Sequence, residues 1–332
     1  MFSKSKLPIL KKYYLYSLDH IYFLNILLLP FSILYLSINL IKKYFFLNKR
    51  NNTIPVIVVG NLTVGGTGKT SLVIWLCNYF SSRKYNIAVI SGGYKTIDPN
   101  KIQIVNEESK PNEVGDEAIL ISKTTQSIVC KCKNRKLAYE FLVKNYKLDF
   151  IISDDGLTHY KLNRNLNIVI VKENKPFGNR LVLPAGPLRE LPSSINNYDN
   201  VIFNKNRNSN APGFYYDISK LKSILNYTEL DIESLSGTSV HLVTAIANPD
   251  LLIKSLNRYN VDIISHIYPD HYLLNEEDFI FNDNLKTIMT EKDFVKCDDF
   301  NLENAYYLPT KIIVDNDIKI MLNNQISNLL KV

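Results

Sequence analysis

Cysteine is scarce in this chain. Its 332 residues include four, Cys77, Cys130, Cys132 and Cys297. The only close pair, Cys130 and Cys132, is one residue apart with no histidine cluster beside it. That spacing excludes a zinc finger, and the set reads as reduced packing cysteines in a cytosolic body. The body also lacks a charge excess. Eight of the first fifty residues are basic (Lys4, Lys6, Lys11, Lys12, Lys42, Lys43, Lys49 and Arg50) against one acid, Asp19. This stretch accounts for the whole net charge of +7, because the rest carries 31 basic and 31 acidic residues. A nucleic-acid enzyme spreads basic charge over its body, so no nucleic-acid partner is expected. No internal repeat, heptad run or low-complexity linker is present, and no feature points to a protein partner. A hydrophobic share of 46% supplies a globular core and excludes disorder.

Charge is missing altogether from residues 21–41, an apolar run of 21 residues. As a helix it covers roughly 30 Å, the thickness of a bilayer core. It is too long for a signal peptide and has no small-residue cleavage site. Residues 1–50 therefore read as a membrane anchor, whose positive charge suits an anionic leaflet. Pro30 at the centre is expected to kink or break the helix. Basic residues flank both ends, so orientation stays open. A single span and a bent anchor lying at the interface both fit.

Beyond the anchor, apolar extended runs alternate with helical patterns. Strands are expected at 54–59, 87–91, 127–130, 150–153, 168–171 and 201–203, with helices near 69–83, 116–123 and 134–145. Continuous runs such as Pro55-Val-Ile-Val-Val59 suit a sheet buried on both faces. The pattern predicts an α/β fold with a doubly wound, mostly parallel sheet over 51–228. Residues 205–235 read as a polar, irregular junction. A smaller C-terminal α/β domain is expected over 229–332, with strands at 241–245, 262–266, 287–289 and 305–308.

The run Gly60-Asn-Leu-Thr-Val-Gly-Gly-Thr-Gly-Lys-Thr70 follows the first strand and opens a helix. Gly65, Gly66 and Gly68 let backbone N–H groups face a polyphosphate, and the helix N-terminus adds partial positive charge. Thr63, Val64 and Thr67 complete the loop. Lys69 can reach the β- and γ-phosphates, and the Thr70 hydroxyl can ligate Mg²⁺. The usual phosphate-loop pattern begins with Gly, where this chain has Thr63. A second carboxylate at a strand end is needed for the metal. Asp154 and Asp155 in Phe150-Ile-Ile-Ser-Asp-Asp-Gly156 supply it, although Asp-Asp-Gly also suits an ordinary turn. The run Asn204-Lys-Asn-Arg207 stops short of a guanine-reading Asn-Lys-x-Asp, which favours ATP over GTP.

Further segments join these: Ser91-Gly-Gly-Tyr-Lys95, Val114-Gly-Asp-Glu117, Asp154-Asp-Gly-Leu-Thr-His-Tyr160, Leu183-Pro-Ala-Gly-Pro-Leu-Arg-Glu190, Ile246-Ala-Asn-Pro249, Tyr268-Pro-Asp-His271 and Thr290-Glu-Lys-Asp293. With the phosphate loop and the apolar N-terminus, the chain resembles the lipid A 4′-kinase family, in order from the anchor to about residue 296. The resemblance implies a P-loop NTPase-like kinase with ATP and Mg²⁺ as cofactors. It implies transfer of the γ-phosphate to the 4′-hydroxyl of an acylated disaccharide 1-phosphate, a lipid A precursor. It implies an enzyme of the inner membrane with its body on the cytoplasmic face. Asp116 matches the family base and His271 its dyad partner. Asp154 and Asp155 match metal ligands, and Glu117 matches a further acidic residue of the metal site. Tyr94 matches a mobile residue near the nucleotide. His159, Arg189, Glu190 and Asp270 belong to the same motifs.

The chemistry is consistent with these roles. A sugar hydroxyl is a poor nucleophile, so a carboxylate that accepts its proton helps. Lys69, Mg²⁺ and Arg189 can neutralise the phosphoryl transition state. Plainer roles also suit these residues: Asp116 as the acidic first turn of a helix, His271 as a turn residue, Tyr94 as packing and Arg189 as a solvated loop side chain. The chain departs from the family at Gly92, where Arg is common, at Thr158, Leu191 and Ala245. A metal-insertion or transport ATPase with the same glycine loop is the alternative, but such proteins lack the Gly115-Asp-Glu117 and Pro269-Asp-His271 segments. The lipid head group is expected to enter between the two domains.

Overall fold

The computed structural model describes residues 20–46, 52–94, 96–246, 249–297 and 300–331. The charged residues Lys4, Lys6, Lys11, Lys12, Asp19, Lys49 and Arg50 lie outside the described residues, as do the motif positions Lys95 and Asn248. Among the described residues the chain forms two compact units, one of residues 20–215 and 313–331, the other of residues 216–312.

The first unit opens with α1 (Phe23–Phe46), followed by β1 (Val56–Gly60), α2 (Lys69–Ser81), β2 (Ile87–Ser91) and β3 (Gln103–Ile104). Next come α3 (Pro111–Val114), α4 (Asp116–Thr124), β4 (Ile128–Lys131), α5 (Arg135–Asn145), β5 (Phe150–Asp154), β6 (Leu166–Lys172), β7 (Asn200–Asn204) and β8 (Gly213–Tyr216). The second unit holds β9 (Lys220–Ser223), β10 (Glu229–Asp231), β11 (Ser239–Thr244), α6 (Asp250–Asn257), β12 (Asp262–Ile267), β13 (Lys286–Thr290), α7 (Glu291–Phe294) and β14 (Ala305–Leu308). The chain then returns to the first unit through β15 (Ile312–Val314) and α8 (Asn316–Leu329).

The first sheet runs β15-β8-β7-β6-β1-β5-β2-β4-β3 among the described residues. Its central pairings are parallel, and only β3 against β4 is recorded as antiparallel. β1, β2 and β5 are buried at every position, which requires cover on both faces and explains their unbroken apolar runs. Phe80 of α2 meets Phe150 of β5 edge-on, with centroids 5.6 Å apart, and ties that helix to the sheet. Asn134 caps α5 by accepting from the Leu137 N–H. Parallel pairing of β1 and β5 sets Val59 opposite Asp154. The turn after β1 and the carboxylates after β5 therefore emerge at the same end of the sheet, next to the strand from which the order runs both ways.

The second sheet runs β10-β9-β14-β13-β11-β12, parallel except at β9 and β10.

Three expectations change. Residues 205–235 are not an irregular junction, because β8, β9 and β10 lie within them. Each is short, and β9 buries one residue of its four, Leu221, so its composition reads as polar although its backbone is paired. The chain enters the second unit at Tyr216 rather than at 229, and residues 313–331 belong with the first sheet. Finally, α1 runs unbroken through Pro30. The ring removes one backbone bond without ending the helix.

Candidate active site

The turn between β1 and α2 is open at its tip. Gly65 has φ +100°, and a Cβ added there or at Gly66 would meet nothing within 4 Å. This is free space bordered by backbone, as a polyphosphate cradle requires. Gly68, at φ +93°, turns the chain into α2. Lys69 is the first residue of that helix, and its Nζ donates to Asn61 Oδ1 at 3.1 Å. Asn61 in turn donates to the Thr63 carbonyl at 2.6 Å and spans the loop from within. From across the turn, Asn204 Nδ2 donates to the Thr67 carbonyl at 3.0 Å. The Asn-Lys pair that falls short of a guanine reader thus braces the loop through Asn204, while Lys205 pairs with Asp315 at 2.7 Å.

The strand-end acids face this turn. Thr70 Oγ1 donates to Asp154 Oδ2 at 3.3 Å, and Lys69 Nζ lies 3.7 Å from Asp155 Oδ2. Arg189 holds Asp155 from the far side, Nη1 to Oδ1 at 2.6 Å and Nη2 to Oδ2 at 3.1 Å. Burial would raise the Asp155 carboxyl, but Lys69 and Arg189 hold it down at about 2. Asp154 has no such grip. Burial and the neighbouring Asp155 charge push it up to about 6, against Lys69. Burial lowers the Lys69 ammonium, opposed by Asp155. Glu117 acts electrostatically on both Lys69 and Asp154, so it belongs to the same constellation.

No group of three or more His, Cys, Asp or Glu among the described residues is arranged to hold a metal ion. A magnesium ion that keeps several waters and takes oxygen from phosphates needs only one or two carboxylates. Asp154 Oδ1 is buried with no hydrogen-bond partner, beside the Thr70 hydroxyl. An orphaned carboxylate oxygen is costly to bury, and a cation there would satisfy it, so the residues fit the ion.

Asp116 is the buried first residue of α4, after Gly115 at φ +91°. Gly115 lies against the turn of Gly93 and Tyr94; the Tyr94 ring itself is exposed. His159 is half-buried, and burial together with the Arg135 charge lowers its imidazole to about 4. Glu190 is buried and accepts from the Tyr160 hydroxyl at 2.9 Å. In the second unit, His271 has φ +64°, a strained backbone for a non-glycine residue. Its Nε2 lies 3.6 Å from Asp270 Oδ2. Asp293 of the Thr290-Glu-Lys-Asp segment is buried within α7, which Thr290 caps, and its carboxylate accepts from the Thr244 and Thr290 hydroxyls and from Lys296.

Sequence reasoning missed Arg135. It opens α5, is buried, and donates from Nη2 to the Asp154 carbonyl at 2.6 Å. Its Nε and Nη1 are buried without partners. The one signal was a basic residue at a helix N-terminus, where the dipole disfavours it. Gly92 makes room for it: a Cβ there would lie 2.9 Å from Arg135 Nη2.

Comparison with known proteins gives the family. The family model described as tetraacyldisaccharide-1-P 4′-kinase matches residues 24–327. Tetraacyldisaccharide 4′-kinase of Coxiella burnetii is 36% identical over 308 residues, covering 92% of each chain. That of Actinobacillus succinogenes is 39% identical over 294 residues, covering 85% of this chain and 89% of the other. A crystal structure of LpxK from Aquifex aeolicus in complex with ATP is similar with a TM-score of 0.74 and 27% identity, covering 91% of this chain and 99% of that one.

Proposed function

The chain belongs to the tetraacyldisaccharide-1-P 4′-kinase family, and from that premise we propose how its residues carry the reaction. It is an ATP-using kinase that phosphorylates the 4′-hydroxyl of tetraacyldisaccharide 1-phosphate in lipid A biosynthesis, yielding lipid IVA. The observation that carries the residue assignment is the meeting of the open glycine turn, Lys69 and the Asp154–Asp155 pair at one end of the first sheet.

In this reading the first unit is a P-loop NTPase fold. Backbone N–H groups of residues 65–68 would cradle the β-phosphate, with Thr63 and Val64 bordering it while the Val64 N–H is held by Pro187, and Lys69 would reach the γ-phosphate. Thr70 and Asp154 would hold magnesium, with Asp155 and Glu117 in the same constellation, and the ion would supply positive charge to the phosphate oxygens. Arg189 and Arg135 keep that end of the sheet positive as charge develops on the transferring group. Asp116 accepts the proton of the 4′-hydroxyl, with His271 as its dyad partner, a role carried by the family resemblance. Tyr94 borders the nucleotide. The outward residues of α1 are apolar, among them Phe31 and Ile33 at 60% and 68% exposure. It is the one helix among the described residues long and apolar enough to cross a membrane. It seats the enzyme on the inner membrane, body on the ATP-containing cytoplasmic side, where the acylated substrate resides.

The test uses full-length protein in detergent with Mg²⁺, γ-labelled ATP and a tetraacylated disaccharide 1-phosphate. Label is expected in the lipid and is lost in Lys69→Ala. Lys69-dependent ATP hydrolysis without transfer would refute the assignment and point to an ATPase of another kind.

A further inference from the structure

Residues 181–190 form a strap held from two sides. One side joins the glycine turn. Val64 N donates to the Pro187 carbonyl at 2.8 Å, Arg189 N donates to the Leu62 carbonyl at 2.7 Å, and Thr63 and Leu188 form an antiparallel bridge. The other side joins α1. Asn25 Nδ2 donates to the Ala185 carbonyl at 2.7 Å. Ser32 Oγ donates to the Val182 carbonyl at 2.7 Å and accepts from Ala185 N at 3.1 Å. Farther along the helix, Lys43 Nζ lies 3.7 Å from Glu190 Oε2.

Asn25 and Ser32 are the buried residues of α1, whose remaining surface is largely exposed and apolar. They are seven residues apart, two helical turns, and so share one face. Polar groups are a cost in a segment selected to meet hydrocarbon. Membrane seating does not require these two. What they do is satisfy the Ala185 N–H and add a further donor to the Val182 and Ala185 carbonyls, which also accept from Gly186 N and Asn179 Nδ2.

We propose that Asn25 and Ser32 are positioning residues of the nucleotide site. Through residues 182–185 they fix the strap, and through the strap they fix the glycine turn at Leu62–Val64 and the backbone of Arg189. The apolar helix is then part of the scaffold that binds ATP, as well as an anchor. This rests on reading the glycine turn as the ATP site.

The experiment measures ATP affinity by calorimetry on full-length protein in detergent, and membrane partition by flotation with phosphatidylethanolamine–phosphatidylglycerol vesicles. The pair Asn25→Leu/Ser32→Ala makes α1 more apolar, so flotation is expected to hold. ATP affinity is expected to fall about tenfold, because the strap loses its three hydrogen bonds to α1 and the buried Ala185 N–H loses its partner. Ser32→Thr keeps the hydroxyl and is expected to keep the affinity. Should the pair fail to fold, Ser32→Ala alone is expected to weaken ATP binding about threefold against Ser32→Thr. Unchanged ATP affinity in these variants, with Lys69→Ala still losing it, overturns the proposal and leaves α1 a plain anchor. Unchanged ATP affinity in Lys69→Ala overturns instead the nucleotide-site reading beneath it.

Discussion

Arg189 grips Asp155 with both terminal nitrogens, at 2.6 Å and 3.1 Å, while Lys69 approaches the same carboxylate at 3.7 Å. Two cations on one carboxylate keep it ionised, and the planar fork also fixes its direction. A lysine at 189 keeps the charge and loses the fork. Arg189→Lys is therefore expected to lower kcat/KM by roughly ten- to a hundredfold, the cost of one or two charge-assisted bonds. Steady-state kinetics checks this. An unchanged kcat/KM would mean that charge alone matters at 189.

Asp116 separates chemistry from scaffold. A proton acceptor acts in the transition state, so Asp116→Asn is expected to cut kcat by roughly a hundred- to ten-thousandfold. ATP affinity should stay within about twofold, since ground-state binding does not use it. If His271 is its partner, His271→Ala in the Asp116→Asn background should cost much less than in wild type. Additive losses would separate the two residues, and a parallel fall in ATP affinity would make Asp116 a structural residue of the α4 start.

What could be read from the sequence followed the range of each interaction. The glycine turn, Lys69 and Asp154–Asp155 were legible because each sits in a short motif between a buried strand and a helix or turn. The strands of both sheet centres were legible because burial on both faces demands unbroken apolar runs. Asn61, Arg135 and Asn204 were not assigned, because their partners lie 8, 19 and 137 positions away in the chain. The short strands β8 to β10 were lost, β9 and β10 to their polar composition and β8 to its length of four residues. The return of β15 and α8 to the first sheet has no local signal at all. The polar seam of α1 was in plain view as Asn25 and Ser32, yet only the strap carbonyls give it meaning.

Gly92 and the Arg135 guanidinium are closely packed. The guanidinium fills the space next to Gly92 Cα and is tethered to the Asp154 carbonyl, so it cannot swing aside freely. Gly92→Ala is expected to cost about 1–2 kcal/mol of stability, as overpacking does, and to lower turnover by disturbing the Asp154 strand end. Denaturant titration and kinetics read the two effects. In the denaturant titration alone, the same substitution at Gly66, where the space is open, is the control for crowding.

The last prediction concerns pH. Burial and the Arg135 charge hold the His159 imidazole near 4, against an ordinary value of about 6.5. Between those values the unfolded chain binds a proton that the folded chain refuses, so stability rises with pH across the window. Asp154 works in the opposite direction. Its carboxyl, raised to about 6 by burial and by Asp155, binds a proton that the unfolded chain has already lost, so its contribution falls as pH rises toward 6. In wild type the two largely offset each other, and a flat profile alone would say nothing. The informative quantity is the difference between wild type and His159→Gln, in which Asp154 cancels. That difference is expected to move in favour of wild type as pH rises from about 4 to 6.5, by at most roughly 3 kcal/mol. Denaturant titration at intervals across the window measures it. Parallel curves would mean that the imidazole takes its proton in the folded state as readily as in water, and that the Arg135 charge does not reach it.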